Sequence, residues 1–465
     1  MQFDSYTYAL FLPLVFIVYW GLRNHLKWQN LFLLVASYVF YGWWDWRMLG
    51  LIMLTSFTTW GSALMMKGDR SRRDKLWSAA NIVLNVGILA VFKYLNFMRD
   101  SLVDLLGLFG VNPDWPTLHI LLPVGISFYT FQAISYTIDV YRGDIKPTRD
   151  VVAFGVFIAF FPQLVAGPIE RAANLLPQFL RKKTFDYDTA VIGMRQILWG
   201  VGKKVIVADS IGYYVDQLLY NPYHYSAASM LWASMLFMIQ IYADFSGYSD
   251  IAIGSAKLLN IKLLPNFRFP FFSRSLKEFW QRWHISLINW FRLYIYFPMG
   301  GSRRGKLRTV INVLVLFTLS GLWHGADWTF AIWGLAFGLL NVPYIFLPSK
   351  RLSEHATLRE IPWCLFTFML VSLVGISFRA NNLAHLNEIL DVMFNTTWKL
   401  RPVFGQPLFY LVPFFIIEWL GRKHEFPLER LPFPTWVRWA IYWAILAGIS
   451  ILSLDRNMQF IYFQF

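Results

Sequence analysis

Apolar residues in this chain form long uninterrupted stretches rather than alternating or one-sided patterns. A helix needs about 20 such residues to cross the roughly 30 Å hydrocarbon layer of a membrane. The stretches predicted as spans or buried half-spans are Tyr6–Leu22, Leu31–Trp46, Leu49–Met66, Ala79–Phe97, Ile120–Tyr141, Val151–Val165, Met230–Ile241, Val310–Leu322, Phe330–Ile345, Trp363–Phe378, Leu408–Leu420 and Ala440–Leu454. The pattern predicts an all-α, polytopic transmembrane bundle of about ten to thirteen spans or half-spans, forming one membrane domain over residues 1–465.

Basic residues between the apolar stretches predict the orientation, because cytoplasmic loops carry an excess of Lys and Arg. Arg23 and Lys27 follow the first stretch, and Lys67–Lys75 holds five basic and two acidic residues. Two helices separate these positions, so both lie inside if the N-terminus faces outside.

Composition agrees with a membrane protein and excludes other classes. The chain is 57% hydrophobic and 15% charged, too apolar for the surface of a soluble protein of this size. Its formal net charge of +15 suits inner-face loops near anionic lipid or a phosphorylated substrate, and no nucleic-acid-binding pattern accompanies it. Cys364 is the single cysteine, which rules out an intramolecular disulfide framework and a thiolate metal cluster; core packing is its expected role.

Polar residues within apolar stretches mark the positions where function is expected. One such region begins at Pro123–Gln132 and continues to Asp139. In another, Phe161–Arg171, two prolines and a glycine break an apolar segment. A membrane tolerates such a break only where protein or a water-filled cavity satisfies the backbone, so this segment is predicted to form a re-entrant wall.

Tyr242–Ile251 places several hydrogen-bonding side chains directly after an apolar stretch. Among these residues are Asp244 and Tyr248, which would be costly against lipid and are expected to face a polar interior or the interface. The alternative is a capped turn between two helices, in which Asp244 or Ser246 satisfies backbone donors.

Glu278–Tyr294 has the periodicity of one amphipathic helix lying along the membrane interface. Aromatic residues recur at intervals of three and four on one face, and His284 lies on that face. The other face carries Arg282 and Asn289. A functional histidine and a core histidine hydrogen-bonded to a neighbour are both compatible with this position.

The next segment, Pro298–Arg308, contains four basic residues and no acid. It is predicted to be a loop on the positive-inside face of the membrane. The same loop would also suit the phosphates of a coenzyme, and the two interpretations are compatible.

His324 lies within an apolar segment, between Trp323 and Gly325 and one turn after Ser320 and Gly321. Small residues there allow a second helix or a substrate to approach closely. An imidazole with a pKa near neutrality can accept a proton from a hydroxyl nucleophile, so His324 is the main catalytic candidate.

Other kinds of site find less support in the sequence. His284 and His324 would supply two ligands to a metal, but no HExxH, CxxC or carboxylate–histidine cluster completes a set, and no metal is predicted. His284 lacks an Asp five positions later, and neither a GxSxG motif nor a Walker loop is present.

Taken together, five blocks of the chain resemble the signature regions of the membrane-bound O-acyltransferase family, most closely its alginate O-acetylase branch. The blocks are Pro123–Arg142, Phe161–Arg171, Tyr242–Ile253, Glu278–Tyr294 and Ser320–Thr329. The most specific sequence motifs of this resemblance are Asp-Phe-Ser-Gly-Tyr-Ser-Asp, Phe-Trp-x-Arg-Trp-His-Ile-Ser-Leu and Gly-Leu-Trp-His-Gly-Ala. The resemblance covers roughly residues 1–380, and the ending Phe460–Phe465 is also similar to that of the branch. Residues 381–434 match least.

The resemblance implies helices around a central funnel that narrows from the cytoplasmic side. Its invariant histidine corresponds to His324, the expected general base or transient acyl carrier, and its second position corresponds to His284, expected to orient a substrate or the thioester. Asp244 and Tyr248 are expected as supporting residues. The remaining candidates for support or substrate binding are Trp323, Asn289 and Arg282.

The function expected from the resemblance is O-acetyl transfer across a bacterial inner membrane to an exopolysaccharide or cell-wall glycan. No bound cofactor is expected. A cytoplasmic thioester would donate the acyl group, with acetyl-coenzyme A as the leading candidate. A periplasmic acetyltransferase would act as partner. Two alternatives stay open at this point. A transporter also fits a polytopic chain with broken helices, although no paired repeat is present, and a non-catalytic scaffold would recruit a periplasmic transferase.

Overall fold

The computed structural model describes residues 1–118, 120–165, 167–348, 353–399, 405–453 and 460–461. Within them, every regular element is helical. The chain forms two compact units, the first made of Met1–Asp186 with Leu259–Leu263 and the second of Tyr187–Leu258 with Leu264–Phe465. The prediction of one domain stays a prediction, and most of the ending Phe460–Phe465 lies outside the described residues.

The first unit contains nine α-helices in its described part. They are α1 (Tyr6–Gly21), α2 (Leu26–Gly42), α3 (Leu49–Leu64), α4 (Arg72–Leu89), α5 (Leu95–Gly107), α6 (Ile126–Arg142), α7 (Val151–Ala159), α8 (Phe161–Leu164) and α9 (Ala172–Phe179). Helix α6 packs against α3 and α4, and α7 packs against α2 and α3. A π-helical turn, Ala90–Tyr94, joins α4 to α5. The predicted apolar stretches overlap α1 to α4 and α6 to α8, whereas α5 lies mostly outside them and α9 lies wholly outside them.

The predicted break in the first unit is present. Helix α7 ends at Ala159, and Phe160 leaves the helical conformation with φ −51° and ψ 109°. Pro162 then occupies the first turn of the short α8, where its missing N–H costs little. Buried residues continue through Val165 to Glu170 in the described part of this segment. Helix breakage is confirmed, and a re-entrant position in a membrane stays a prediction.

The second unit contains twelve α-helices in its described part. They are α10 (Tyr187–Gly202), α11 (Ser210–Tyr220), α12 (Ala227–Leu258), α13 (Leu276–Arg282), α14 (Ile285–Phe291), α15 (Lys306–His324), α16 (Trp328–Asn341), α17 (Pro343–Phe346), α18 (Ile361–Arg379), α19 (Leu383–Asn395), α20 (Leu408–Gly421) and α21 (Thr435–Leu452). Helix α12 lies at the centre of this unit, since α10, α11, α18 and α19 all pack against it.

The polar block Tyr242–Ile251 is helical, and the alternative of a turn between two helices is wrong. Helix α12 runs without interruption through all 32 of its residues. Almost every side chain in the block is buried, so its polar groups require hydrogen-bond or charge partners within the unit. A helix with this many buried polar groups is stable because other helices cover it on several sides.

Glycines bring α10 and α12 into backbone contact. A Cβ atom at Gly193 would lie 2.7 Å from the carbonyl oxygen of Gly254, and one at Gly200 would lie 2.6 Å from that of Gly247. After α10, the π-helical turn Lys203–Asp209 directs two buried lysines towards α12. Close helix approach therefore requires glycine at these positions.

Six helical segments are long and apolar enough to cross a membrane, in the described part of the chain. They are Arg72–Gly107, Ala227–Leu258, Lys306–His324, Trp328–Phe346, Leu358–Arg379 and Thr435–Leu452. Three shorter apolar helices accompany them, at Tyr6–Gly21, Val151–Leu164 and Leu408–Gly421. Segment Thr435–Leu452 buries none of its residues within the protein, as expected of a helix that faces lipid.

Candidate active site

His324 is positioned by the hairpin that α15 and α16 form. It is the last residue of α15, and Gly325 then adopts an extended conformation. Asp327 begins α16 by accepting a hydrogen bond from the backbone N–H of Thr329 at 2.8 Å. A Cβ atom at Gly334 would lie 2.2 Å from the carbonyl oxygen of Phe317, so the two helices touch backbone to backbone. The imidazole is thereby attached to a rigid, tightly packed element.

The His324 ring lies in a buried aromatic environment. Its centroid is 4.9 Å from that of Trp323, 5.2 Å from that of Phe378 and 5.4 Å from that of Trp333. His324 also lines a cavity of about 340 Å³, including the part open to solvent. Its other lining residues are Phe237, Met238, Ile241, Phe279, Trp280, Trp283, Trp333, Phe337, Val371 and Phe378. A histidine in so apolar a cavity is suited to proton transfer with little competing water.

The segment that carries His284 differs from the single amphipathic helix predicted for Glu278–Tyr294. It forms two short helices, α13 and α14, and ends in a π-helical turn, Arg292–Tyr296. Between the helices, His284 adopts φ 44° and ψ 51°, a left-handed conformation that is uncommon outside glycine, although histidine adopts it more often than most other residues. The prediction of a continuous helix is therefore wrong.

The physical reason for this break is a neighbouring loop, Pro265–Phe269, which offers alternative hydrogen-bond partners. The backbone N–H of Arg268 donates to the carbonyl oxygen of Arg282, and that of Ile285 donates to the carbonyl oxygen of Asn266, both at 2.9 Å. The periodicity of side chains contains no information about these tertiary bonds.

His284 is buried and hydrogen-bonded on one side of its ring. Its Nδ1 lies 3.0 Å from Oδ1 of Asn266, whereas its Nε2 has no hydrogen-bond partner among the described residues. The rings of Phe245 and Phe267 pack beside it, with centroid distances of 4.7 Å and 6.3 Å. Burial lowers the pKa of His284 to about 3, so this imidazole is neutral at physiological pH.

The fold brings the two candidate histidines together. Their ring centroids are 6.2 Å apart, and Trp323 contacts both, at 4.9 Å from His324 and 6.0 Å from His284. A reacting group placed beside one imidazole therefore lies within reach of the other. This proximity of His284, His324 and Trp323 is what the sequence alone could not show.

Asp244 and Tyr248 lie on α12 in a buried charged network. Asp244 pairs with Nζ of Lys204 at 3.0 Å and accepts a hydrogen bond from the backbone N–H of Ile461 at 2.8 Å. The Tyr248 ring stacks on Phe460 at 4.1 Å. These contacts hold the described end of the chain against α12, and a supporting role of either residue in catalysis stays a prediction.

Arg282 and Asn289 contact neither histidine through a hydrogen bond that the described residues show. The guanidinium of Arg282 donates to Glu278 at 2.7 Å and to the carbonyl oxygen of Glu354 at 2.6 Å. Asn289 is half-buried on α14. Both residues are therefore placed where they support the local fold, and their participation in substrate binding stays a prediction.

The same carboxylate of Glu278 also binds Arg274, at 2.8 Å, which in turn reaches Glu360 at 2.9 Å. Burial alone would raise the pKa of Glu278, but the Arg274 hydrogen bonds and the charge of Arg282 lower it below its ordinary value. This cluster joins α13 to the start of α18 and so fixes one side of the His284 segment.

Sequence reasoning missed three residues of this region. Asn266 was overlooked because it is uncharged and follows a proline in a loop. Lys203 and Lys204 carry a signal that was available, since they are ionisable residues directly followed by the apolar run Val205–Ala208. Lys203 binds Asp250 at 2.6 Å and Ser246 at 2.8 Å, so it compensates part of the polarity of α12.

In the described part of the chain, His, Cys, Asp and Glu form no group of three able to hold a metal ion.

Comparisons with known proteins identify the family. The profile of MBOAT, the membrane-bound O-acyltransferase family, matches residues 150–372. The chain is 40% identical to the probable alginate O-acetylase AlgI of Azotobacter vinelandii, over 85% of this chain and 78% of that protein. The AlgI protein of Pseudomonas aeruginosa is also 40% identical, over 86% of this chain and 76% of its own length. The peptidoglycan O-acetyltransferase of Helicobacter pylori is 32% identical, over 82% and 77%.

These relatives and the apolar helices agree on the class of protein. Both histidine-bearing segments, α13–α14 and the α15–α16 hairpin, fall inside the matched region. The chain is an all-helical, multi-pass membrane acyltransferase that belongs to the membrane-bound O-acyltransferase family.

Proposed function

We propose that this acyltransferase takes an acetyl group from a cytoplasmic thioester, for which acetyl-coenzyme A is the leading candidate. It passes the acetyl group across the bacterial inner membrane for O-acetylation of an exopolysaccharide or cell-wall glycan. The observation that carries the proposal is the pair of buried histidines, with ring centroids 6.2 Å apart, of which His324 lines an apolar cavity. The names of the relatives, two probable alginate O-acetylases and a peptidoglycan O-acetyltransferase, support acetyl as the transferred group and a glycan as the acceptor.

His324 acts as the general base in this reaction. It takes the proton of the acceptor hydroxyl while the hydroxyl oxygen bonds to the thioester carbonyl carbon. The carbon–sulfur bond then breaks, and the proton held by His324 leaves on the thiol. The aromatic walls that His324 shares with Trp333 and Phe378 limit competing hydrolysis by excluding water.

His284 remains neutral and orients a reacting group. Its low pKa makes it a poor proton acceptor but leaves it able to accept a hydrogen bond. Alignment of the hydroxyl against the thioester is a separate contribution to the rate from proton removal. A periplasmic acetyltransferase partner, expected from the family branch, would receive the acetyl group or complete its transfer to the glycan.

The proposal is tested by replacing His324→Ala in the producing cell and measuring acetate released from its purified glycans by mild alkali. We expect a loss of about a hundredfold or more, since general base catalysis contributes roughly 10²–10⁴-fold. His224→Ala is the matched control, because His224 is an exposed histidine of the same unit. Both variants are quantified in membranes by immunoblot.

Unchanged glycan acetylation in a normally abundant H324A protein would overturn the catalytic role and leave a scaffold as the function. The donor is tested by incubating the purified protein with radiolabelled acetyl-coenzyme A. Absence of both binding and acetyl release would contradict acetyl-coenzyme A as the donor.

A further inference from the structure

Asn266 contacts the His284 segment through both its backbone and its side chain. Its backbone oxygen accepts the N–H of Ile285 at 2.9 Å. Its side-chain Oδ1 lies 3.0 Å from Nδ1 of His284, 2.9 Å from Oγ of Ser286 and 3.3 Å from the backbone nitrogen of Ser286. Only 1% of Asn266 is exposed, so water does not compete for these bonds.

These contacts fix the orientation of the Asn266 amide. A backbone N–H can only donate, so the Asn266 atom that faces the N–H of Ser286 is the oxygen. The amide nitrogen then points elsewhere, and its nearest partner is Oγ of Ser249 at 3.5 Å. The amide therefore presents an acceptor, and no donor, to the histidine.

The tautomer of His284 follows from this orientation. Because the Asn266 oxygen can only accept, Nδ1 of His284 must carry the hydrogen of the bond between them. In the neutral imidazole the other nitrogen, Nε2, then has a lone pair and no hydrogen. Nε2 is buried and has no partner among the described residues, which leaves one strong acceptor unused in the folded protein.

The backbone at His284 supports the same conclusion. Its left-handed conformation, φ 44° and ψ 51°, is uncommon outside glycine and persists only where the surroundings support it. The bonds from Ile285 and Ser286 to Asn266 hold that conformation. This uncommon conformation is thus maintained by the residue that also orients the ring.

We propose that Asn266 is a positioning residue that holds His284 as the Nδ1–H tautomer, so that the bare Nε2 accepts a hydrogen bond from a hydroxyl of the glycan acceptor other than the one whose proton His324 takes. This inference rests on the proposed function and narrows it. An Nε2 without hydrogen cannot donate to the thioester carbonyl oxygen, so His284 positions the acceptor molecule and not the thioester. Among the rings around His284 in the described structure, His324 is the other titratable group, and the rest are Phe245, Phe267 and Trp323.

The direct test is the 15N NMR spectrum of protein labelled at its histidines, in which protonated and bare imidazole nitrogens resonate far apart. The chain has eight histidines, and the spectrum of a His284→Asn variant identifies the His284 signals by difference. We expect Nδ1 protonated and Nε2 bare in the native protein, and a mixed or reversed tautomer in Asn266→Leu. A native His284 protonated at Nε2 would overturn the inference, whatever the outcome for His324→Ala.

The functional test compares Asn266→Leu with Asn266→Asp in membranes supplied with radiolabelled acetyl-coenzyme A. Leucine removes the acceptor, and we expect kcat to fall roughly a hundredfold, with KM for the donor within about threefold, because only alignment of the acceptor molecule is lost. Aspartate keeps the acceptor, so N266D should retain activity within about threefold of the native protein at its own optimum. Its negative charge should also shift the acidic limb of the pH profile upwards.

Asn30→Leu is the matched control, because Asn30 is a buried asparagine outside the site whose amide donates to the carbonyl oxygen of Phe179. Its activity should follow the amount of folded protein measured by thermal unfolding. If N266L also loses activity only in proportion to folded protein, Asn266 is a packing residue and the inference fails. Failure of folded N266D to restore activity would overturn it as well.

Discussion

Burial of His284 makes the stability of the protein depend on acid. The ordinary histidine pKa is 6.5, and burial lowers that of His284 to about 3. Between these values the unfolded chain binds a proton that the folded protein does not. The free energy of unfolding therefore rises with pH through this window. The part of it that neutral His284 contributes decreases as the pH falls below about 6.5.

We expect His284→Asn to weaken this dependence, because asparagine does not titrate. The measurement is the unfolding temperature of the purified protein in detergent at pH 5.0 and 7.5. In the native protein the value should be lower at pH 5.0, and in H284N the difference should be smaller. His224→Asn, at an exposed site, should leave the difference as it is in the native protein. An unaltered acid sensitivity in H284N would show that other groups cause it.

At the residue level, the sequence identified the two histidines because an ionisable side chain in an apolar segment is costly. The same criterion could have identified Lys203 and Lys204. They were overlooked because the helix before them, α10, is not one of the continuous apolar stretches. Asn266 was beyond prediction, since its role depends on contact with a residue 18 positions away. The energetic cost of burying a charge also does not distinguish Asp244, which pairs with Lys204, from a residue that takes part in the reaction.

The α15–α16 hairpin positions His324 through glycine contacts. We expect Gly334→Ala to destabilise the protein by about 1–3 kcal/mol, the usual effect of overpacking, because its Cβ would lie 2.2 Å from the backbone oxygen of Phe317. Activity should fall further than the folded fraction, as α15 must shift with His324 at its end. Thermal unfolding and glycan acetylation measured on the same preparations check this.

Gly87→Ala is the control for that substitution. Gly87 lies within α4, and nothing comes within 4 Å of a Cβ placed there. Alanine should therefore be neutral, or stabilise by roughly 0.5–1 kcal/mol through helix propensity. Equal stability of G334A and the native protein would mean that the two helices separate at little cost.

At the level of elements, the sequence predicted helices well where apolar runs are continuous, as at α3 and α18. It failed where tertiary hydrogen bonds override periodicity. Helix α12 continues through its polar block because buried partners such as Lys203 and Lys204 satisfy it. The opposite occurs between α13 and α14, where the loop of residues 265–269 binds the carbonyl oxygen of Arg282 and the backbone N–H of Ile285, which one continuous helix would use itself.

For the whole molecule, the basic residues of Lys67–Lys75 predict an inner location and an outer N-terminus. Cys364 is the single cysteine and is buried, so a Cys364→Ala background allows single exposed cysteines to be placed. In intact cells, we expect a membrane-impermeant maleimide to label Gln2→Cys and to leave Arg72→Cys unlabelled. Both positions are exposed, so both should react after the cells are opened. Labelling of Arg72→Cys in intact cells would reverse the predicted orientation.

The sequence predicted the class of the whole molecule, because hydropathy reports directly on the requirement for spanning helices. It did not fix the number of spans. Helices such as Tyr6–Gly21 and Leu408–Gly421 are apolar but short, and the membrane position of the broken segment α7–α8 depends on its surroundings. Substrate identity was equally inaccessible, since glycan recognition lies outside what apolar patterns encode.

The left-handed backbone of His284 also has a consequence for directed evolution. Glycine would adopt that conformation without strain, so a library selected for heat resistance alone should be enriched in glycine at this position at the expense of catalysis. Histidine persists there only under a selection that rewards turnover. Engineering of a more robust biocatalyst should therefore leave this turn untouched and seek added stability in exposed helices outside the site, such as α21.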